Sequence, residues 1–243
     1  MKTYIYILTL FFSLSLFSQV EKIEPPFWWS DMQNSELQLM CYGENIAQFE
    51  ISISDAIAIV HRRKTENPNY QFITIDTKGI APGEVTLSFS KKGKIIFSRS
   101  YVFKKRRKNS ALRKGFDSSD AMYLIMPDRF ANGDPANDST KNTVEKANRS
   151  ENGGRHGGDI QGVIDHLDYI KELGMTALWS TPLLADDDAG YSYHTYAQSD
   201  VYKIDPRYGT NEDYKRLADE LHKKDMKLIM DYVTNHWGSE HWM

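Results

Sequence analysis

Residues 121–138 read Ala-Met-Tyr-Leu-Ile-Met-Pro-Asp-Arg-Phe-Ala-Asn-Gly-Asp-Pro-Ala-Asn-Asp, an apolar run followed at once by a polar loop. Such a run is typical of a parallel strand that is buried on both faces. Thr176–Trp179 and Met226–Met230 repeat the pattern and predict two further strands. Between the first two strands, a stretch with helical spacing ends at Gly174, a residue suited to a helix C-cap. Its apolar positions are Val163, Leu167, Ile170 and Leu173.

The second connection also predicts a helix. Thr210 and Asp213 resemble a capping box, and Tyr214, Leu217 and Leu221 follow at helical spacing. Alternating strands and helices predict a parallel sheet of the (β/α)₈ TIM-barrel type, over residues 118–243. Closure of such a barrel takes eight strands and roughly 250 residues, so we expect this domain to be truncated, the front of a larger protein.

The region before residue 104 has a different pattern, with short runs of β-branched and aromatic residues separated by turns. Its last two runs flank Lys91–Lys94 and predict a hairpin around Gly93. This pattern predicts a multidomain chain whose N-terminal domain, residues 19–103, is an immunoglobulin-like β-sandwich. The predicted strands are Leu37–Met40, Phe49–Ile53, Tyr70–Ile75, Glu84–Phe89 and Ile95–Phe103.

A basic cluster at Lys104–Lys108, with Arg113 and Lys114 soon after, separates the two patterns. We interpret residues 104–117 as a solvated linker, although a basic cluster can also bind nucleic acid or anionic lipid. The composition favours the linker, because the chain has 30 Lys and Arg against 33 Asp and Glu and a net charge of −3. With 40% hydrophobic residues and no basic excess, the composition indicates a globular protein and argues against a nucleic-acid partner.

The N-terminus has the pattern of a targeting segment. Lys2 precedes an apolar run that ends near Ser18, which predicts a signal peptide over residues 1–18 and an exported, periplasmic or secreted protein. The run is too short for a transmembrane segment, and we expect none. The single cysteine, Cys41, excludes an internal disulfide.

Five motifs in chain order carry a specific resemblance. They are Pro25–Trp29, Pro127–Asp138, Gly157–Gly162, Tyr193–Tyr196 and Asp231–His236. Together they resemble the amylase-type glycoside hydrolase family (family 13), and the first resembles its cyclomaltodextrinase and neopullulanase branch. The last four follow predicted strands, and the carboxyl end of barrel strands is where such active sites lie. The resemblance implies a hydrolase of α-glucans such as starch, maltodextrin, cyclodextrin or pullulan.

The loop after the first strand is rich in oxygen ligands. Asn132, Asp134, Asn137 and Asp138 place four oxygen-bearing side chains within seven residues. Ca²⁺ takes six to eight oxygens, and the resemblance implies that Gly157 and Asp159 complete a calcium site. The alternative is an Asn- and Asp-rich turn whose side chains bond its own backbone.

The resemblance assigns the sugar-binding residues. Tyr196 matches the family's stacking tyrosine, and His236 is expected to hydrogen-bond a hydroxymethyl oxygen of the same sugar. Asp231 and Asn235 match supporting positions, and His194 is expected to help close the site. Taken singly, each of these residues is more typical of ordinary packing, as a satisfied histidine or a core tyrosine. Their joint occurrence in register favours the sugar-binding interpretation. The neighbouring acidic run Asp186–Asp188 is expected to form an exposed loop.

The resemblance implies that no catalytic residue lies in this chain. Retaining hydrolysis needs two carboxyl groups about 5 Å apart, a nucleophile and an acid. The family's nucleophilic Asp and acid Glu are expected beyond Met243, so the chain alone is expected to be inactive.

Two alternatives stay open at this point: a non-catalytic carbohydrate-binding module, and an α-glucan transglycosylase. Homodimerisation of the full-length protein is a further expectation from the family.

Overall fold

A computed structural model describes residues 20–54 and 57–243. The predicted signal peptide, residues 1–18, lies outside the described residues. The chain divides into two compact units, whose described parts lie before and after the junction between Arg113 and Lys114.

The N-terminal unit is built from two four-stranded sheets. In spatial order, the first sheet contains strands β1 (Lys22–Glu24), β3 (Glu36–Tyr42), β6 (Tyr70–Asp76) and β5 (Ile59–Lys64). The second contains β2 (Trp28–Trp29), β8 (Lys94–Lys104), β7 (Gly83–Lys91) and β4 (Glu50–Ile53). Neighbouring strands are antiparallel, except that β2 runs parallel to β8.

Alternation along the strands forms the core of this unit. In β7, Val85, Leu87 and Phe89 are buried while Glu84 and Thr86 are exposed, the period of two that a half-buried strand requires. The predicted hairpin is present, and its turn residue Gly93 has a φ of 74°. The predicted strands are all present. The pattern did not predict the edge strand β5, because its His61–Lys64 segment is charged and exposed on both faces.

The C-terminal unit contains a three-stranded parallel sheet in the order β13, β10, β9. These are the three predicted barrel strands, and their bounds are Met122–Ile125 for β9, Ala177–Ser180 for β10 and Lys227–Met230 for β13. A small antiparallel pair, β11 (Leu184–Ala185) with β12 (Asp200–Ile204), follows β10. The fold is therefore a β-sandwich followed by three parallel strands with helical connections, as the sequence predicts.

The helices cover one face of this sheet. They are α1 (Pro127–Phe130), α2 (Ile160–Asp165), α3 (Leu167–Glu172) and α4 (Asn211–Lys223). The predicted capping box opens α4, and Gly174 has the positive φ, 83°, of the predicted helix stop. The helix predicted through Val163–Leu173 is divided at His166 into α2 and α3. None of the helices in the described part of the chain has the length and apolar character of a membrane span.

The opposite face of the sheet is open. Leu124 on β9 is 58% exposed and Met122 is 39% exposed, so the expectation that this strand is buried on both faces is wrong for this chain. The helix-facing side chains Ile125 and Leu178 are buried in the core of the unit. The sheet therefore presents an apolar face that the described residues leave uncovered.

Candidate functional site

Two loops meet beyond the carboxyl ends of β10 and β13. One contains Tyr196 and lies between β11 and β12, and the other follows β13 from Asp231. The N–H of Gly238 donates to the Gln198 carbonyl at 3.0 Å. A Cβ at Gly238 would lie 2.4 Å from the Ala197 carbonyl oxygen, so only glycine allows the loops to approach this closely.

Tyr196 and Asp231 are joined directly. The Tyr196 hydroxyl donates to Asp231 Oδ2 at 3.1 Å, and the indole Nε1 of Trp179 donates to the same oxygen at 3.3 Å. Partial burial, together with the adjacent Asp231 carboxylate, raises the pKa of Tyr196 above its ordinary value. The phenol therefore stays protonated and remains a hydrogen-bond donor at neutral pH. Tyr196 is 37% exposed.

His236 ties the two loops together through its ring. Its Nε2 lies 3.0 Å from the Tyr196 carbonyl oxygen, and its Nδ1 lies 2.8 Å from Asn235 Nδ2. A carbonyl only accepts, so Nε2 carries the proton, and Nδ1 accepts from the Asn235 amide. The predicted bond from His236 to a sugar hydroxymethyl group would therefore have to share this Nε2 proton with Tyr196.

His194 also contacts Tyr196. Its Nδ1 accepts the Tyr196 N–H at 3.3 Å, and the two ring centroids are 5.7 Å apart. Burial lowers the pKa of His194, although Glu145 and Asp188 oppose the shift. The structure thus brings together all five residues expected to bind or support the sugar, namely His194, Tyr196, Asp231, Asn235 and His236.

The acidic run before this loop is not exposed as expected. Asp186 is fully buried, with 0% exposure, because it serves as an acceptor inside the loop. Its Oδ1 accepts the Asp188 N–H at 3.1 Å and its Oδ2 accepts the Ala197 N–H at 3.3 Å. Burial raises the pKa of Asp186 to about 6, and the neighbouring charges of Asp188 and Asp205 act in the same direction.

A buried charge cluster supports the same loop. Arg207 donates to Asp205 through Nε at 2.9 Å and Nη2 at 2.7 Å, and to the Asp186 carbonyl at 2.5 Å. Arg155, only 1% exposed, lies 4.0 Å from Asp205 and donates to the Ser192 carbonyl at 2.9 Å. Burial would raise the pKa of Asp205, but Arg207 and Arg155 hold it below the ordinary value.

The sequence motifs did not predict this cluster or the hydrogen bond from Trp179 to Asp231. Asp205 and Arg207 are separated by one proline directly after β12, a spacing that could have indicated a local ion pair. Arg155 lies in a glycine-rich segment and has no distinguishing signal. Trp179 was predicted only as a strand residue.

The expected calcium residues lie close together but are linked by hydrogen bonds. Asn132 Nδ2 donates to Asp138 Oδ1 at 2.6 Å, and Asn137 Nδ2 donates to Asp159 Oδ2 at 3.0 Å. Asp159 Oδ2 also accepts the Asp134 N–H at 2.8 Å. Gly157 has a φ of 86°, and a Cβ there would lie 2.5 Å from Asp138 Oδ1. All six expected residues therefore belong to one local cluster.

One buried atom in this cluster suits a cation. Asn137 Oδ1 is buried and has no hydrogen-bond partner among the described residues, whereas buried acceptors are normally satisfied. The donor set of carboxylate, amide and carbonyl oxygens is the one that Ca²⁺ prefers. Among the described residues, no three His, Cys, Asp or Glu side chains are grouped closely enough to hold a metal by themselves, so a cation here would need the amide and carbonyl oxygens in addition to the carboxylates. Arg149 already contacts Asp138 Oδ2 at 2.8 Å.

Two family descriptions match the chain. "Alpha amylase, catalytic domain" matches residues 124–243, and "Cyclomaltodextrinase, N-terminal" matches residues 22–107. The chain belongs to the α-amylase family of glycoside hydrolases (family 13) and, within it, to the cyclomaltodextrinase-like branch. Its homologues in this family are enzymes that act on glycosidic bonds.

Two relatives and one solved structure are similar to parts of this chain. Neopullulanase 2 of Thermoactinomyces vulgaris is 36% identical over 180 residues, which cover 72% of this chain and 29% of that protein. Cyclomaltodextrinase of Thermoanaerobacter pseudethanolicus is 38% identical over 122 residues, covering 50% and 20%. The solved α-amylase of Geobacillus thermoleovorans, complexed with acarbose, is 42% identical with a TM-score of 0.42, covering 51% and 24%. The chain thus spans less than a third of each of these proteins.

Proposed function

We propose that this chain supplies one wall of an α-glucan binding site in an exported, retaining hydrolase of the amylase type. The observation that carries the proposal is the convergence of Tyr196, Asp231 and His236 across two loops at the carboxyl ends of neighbouring parallel strands. Family membership and the names of the relatives support an α-glucan as the ligand.

The chemistry of this wall suits a pyranose. The C–H face of a glucose ring is apolar and stacks on an aromatic ring, while the hydroxyls at its edge need polar partners. Tyr196 offers a partly exposed aromatic side chain, and Asp231 and His236 hydrogen-bond to the same residue. Asn235 and His194 hold His236 and the Tyr196 backbone in place.

The bond-breaking groups of the proposed enzyme lie outside residues 1–243. We assign neither carboxylate beside the sugar-binding wall as the nucleophile, because Asp231 matches a supporting position of the family and Asp186 is buried inside its loop. We expect no turnover of maltodextrin or pullulan by the purified chain. Clear turnover would contradict the assignment of the nucleophile and acid to other residues.

Calcium is part of the proposal. Asn132, Asp134, Asn137, Asp138, Gly157 and Asp159 would hold one Ca²⁺, which would fix the loop after β9. The unpartnered Asn137 Oδ1 is the observation that supports a ligand there.

Binding of maltoheptaose tests the sugar site. The titration follows NMR shifts of the isotope-labelled chain. We expect shifts centred on Tyr196 and His236, and about tenfold weaker binding for Tyr196→Ala, because the stacking face is lost. Tyr169→Ala is the matched control, since Tyr169 is an exposed tyrosine on α3. Equal loss in both variants, or saturable binding centred elsewhere, would contradict the proposal.

Calorimetry with chelator-treated chain tests the calcium site. We expect one Ca²⁺ per chain, and a rise in the free energy of unfolding of about 2.7 kcal/mol when free Ca²⁺ is 100-fold above Kd. Asp134→Asn should weaken this binding at least tenfold, because the substitution removes a charged ligand. Asp219→Asn, an exposed carboxylate on α4, should leave it unchanged. Absence of binding to the wild-type chain would remove calcium from the proposal.

A further inference from the structure

Trp179 makes a hydrogen bond that ordinary packing of the sheet does not require. Its indole N–H and the Tyr196 hydroxyl both donate to Oδ2 of Asp231, at 3.3 Å and 3.1 Å. A single carboxylate oxygen therefore holds an indole from β10 and the tyrosine of the proposed sugar site. Asp231 therefore connects Trp179 to the tyrosine whose ring would contact the sugar.

The strand register accounts for this convergence. Trp179 pairs with Ile229 on β13, and Asp231 is two residues further along the chain. Side chains two residues apart on a strand point to the same face of the sheet. Trp179 and Asp231 therefore project from the same face, the one opposite the helices.

Trp179 does not belong to the apolar core of its unit. Its neighbours Leu178 and Ser180 are buried, whereas Trp179 is 37% exposed. Its hydrogen-bonded end is directed to Asp231, so a plain aromatic packing role would leave this bond unexplained. A phenylalanine at this position would keep an aromatic ring and remove only the donor.

We propose that Trp179 is a positioning residue for the sugar site. Its indole N–H fixes the Asp231 carboxylate, and that carboxylate fixes the direction of the Tyr196 hydroxyl and ring. The consequence for sugar affinity rests on the proposed function. The pair of hydrogen bonds from Trp179 and Tyr196 to Asp231, which we call the relay, does not depend on the proposed function.

The relay is tested first without sugar, by NMR of the 243-residue chain. Asp231→Asn should shift the Trp179 indole N–H resonance, and Trp179→Phe should shift the ring resonances of Tyr196. Trp29→Phe is the matched control, because Trp29 is also 37% exposed but lies in the other unit. The proposal would be overturned if Asp231→Asn left the chemical shift of the Trp179 indole N–H unchanged. It would also be overturned if Trp179→Phe left the ring resonances of Tyr196 unchanged.

Maltoheptaose affinity is the second readout. Trp179→Phe should weaken binding about threefold to tenfold, the effect of one lost hydrogen bond. The double variant Trp179→Phe with Tyr196→Phe should lose less than the product of the two single losses, because both act through Asp231. Wild-type affinity in Trp179→Phe, or fully multiplicative losses, would overturn the proposal. Failure of the wild-type chain to bind sugar would contradict the proposed function, and the resonance shifts would still decide the relay.

Discussion

The β-sandwich and the parallel-sheet unit differ in what they bury. The sandwich core is apolar, and the buried polar side chains among its described residues are uncharged: Ser30, Gln71, Thr74 and Thr77. The parallel-sheet unit buries charged side chains, namely Asp128, Arg155, Asp159, Asp186, Asp205 and Arg207. Burial of a charge is costly unless it is paired and hydrogen-bonded.

This difference follows from the connections that each unit has to hold. The sandwich joins its strands by short turns, such as the hairpin at Gly93. The second unit supports long loops, and those loops contain backbone groups that no sheet satisfies. Asp186 and Arg207 satisfy them through the Ala197 N–H and the Asp186 carbonyl. The buried charges are thus the means by which the Tyr196 loop keeps one shape.

Removal of one member of the buried cluster should give the largest effect. Asp205→Ala leaves Arg207 and Arg155 without the carboxylate that pairs with them, and breaking a buried pair costs about 3–5 kcal/mol. Thr77→Val is the matched change in the sandwich, where one buried hydrogen bond to the Ser35 carbonyl is lost at a cost of about 1 kcal/mol. Hydrogen exchange, followed separately in each unit, measures the loss of stability in both variants. Equal losses of stability would contradict the contrast between the units.

A pH-dependent effect is expected at Asp186. Its folded-state pKa of about 6 exceeds the ordinary 3.8, so its contribution favours folding below pH 4 and is lost as the pH rises through 6. Asp186→Asn should remove this dependence, and its free energy of unfolding relative to wild type should rise by up to about 3 kcal/mol between pH 4 and pH 7. Urea denaturation across this range measures it. A difference that does not change with pH would show that burial does not raise the pKa of Asp186.

A local helix cap should give the smallest effect. Thr210 Oγ1 accepts the Asp213 N–H at 3.1 Å, and the Asp213 carboxylate accepts the Thr210 N–H at 2.9 Å. Thr210→Ala should reduce the stability of the second unit by about 1 kcal/mol. Urea denaturation at pH 7 checks the value. A loss as large as that of Asp205→Ala would mean that the buried cluster is not the dominant contribution.

Much of the fold could be predicted because each element has a local cause. Alternation predicted β7, the capping box predicted α4, and Gly174 predicted a helix stop. Strand β5 could not be predicted, because His61–Lys64 is a charged segment that pairs at a sheet edge. The spacing of apolar residues also does not predict the division of the helix at His166.

The site was predictable only in part. The motifs Tyr193–Tyr196 and Asp231–His236 each follow a predicted strand. Their positions therefore predicted that Tyr196, Asp231 and His236 lie close together at the carboxyl end of the sheet. Trp179 was not predicted, since its role depends on the register between β10 and β13. The burial of Asp186 depends on tertiary acceptors and donors that an acidic run does not reveal.

The most direct test of the sugar-binding wall is the detection of intermolecular nuclear Overhauser effects between maltoheptaose and the labelled chain. The pyranose C–H protons should give effects to the Tyr196 ring, and none to the ring of Tyr169. Saturating sugar that gives no contact with Tyr196 would contradict the account.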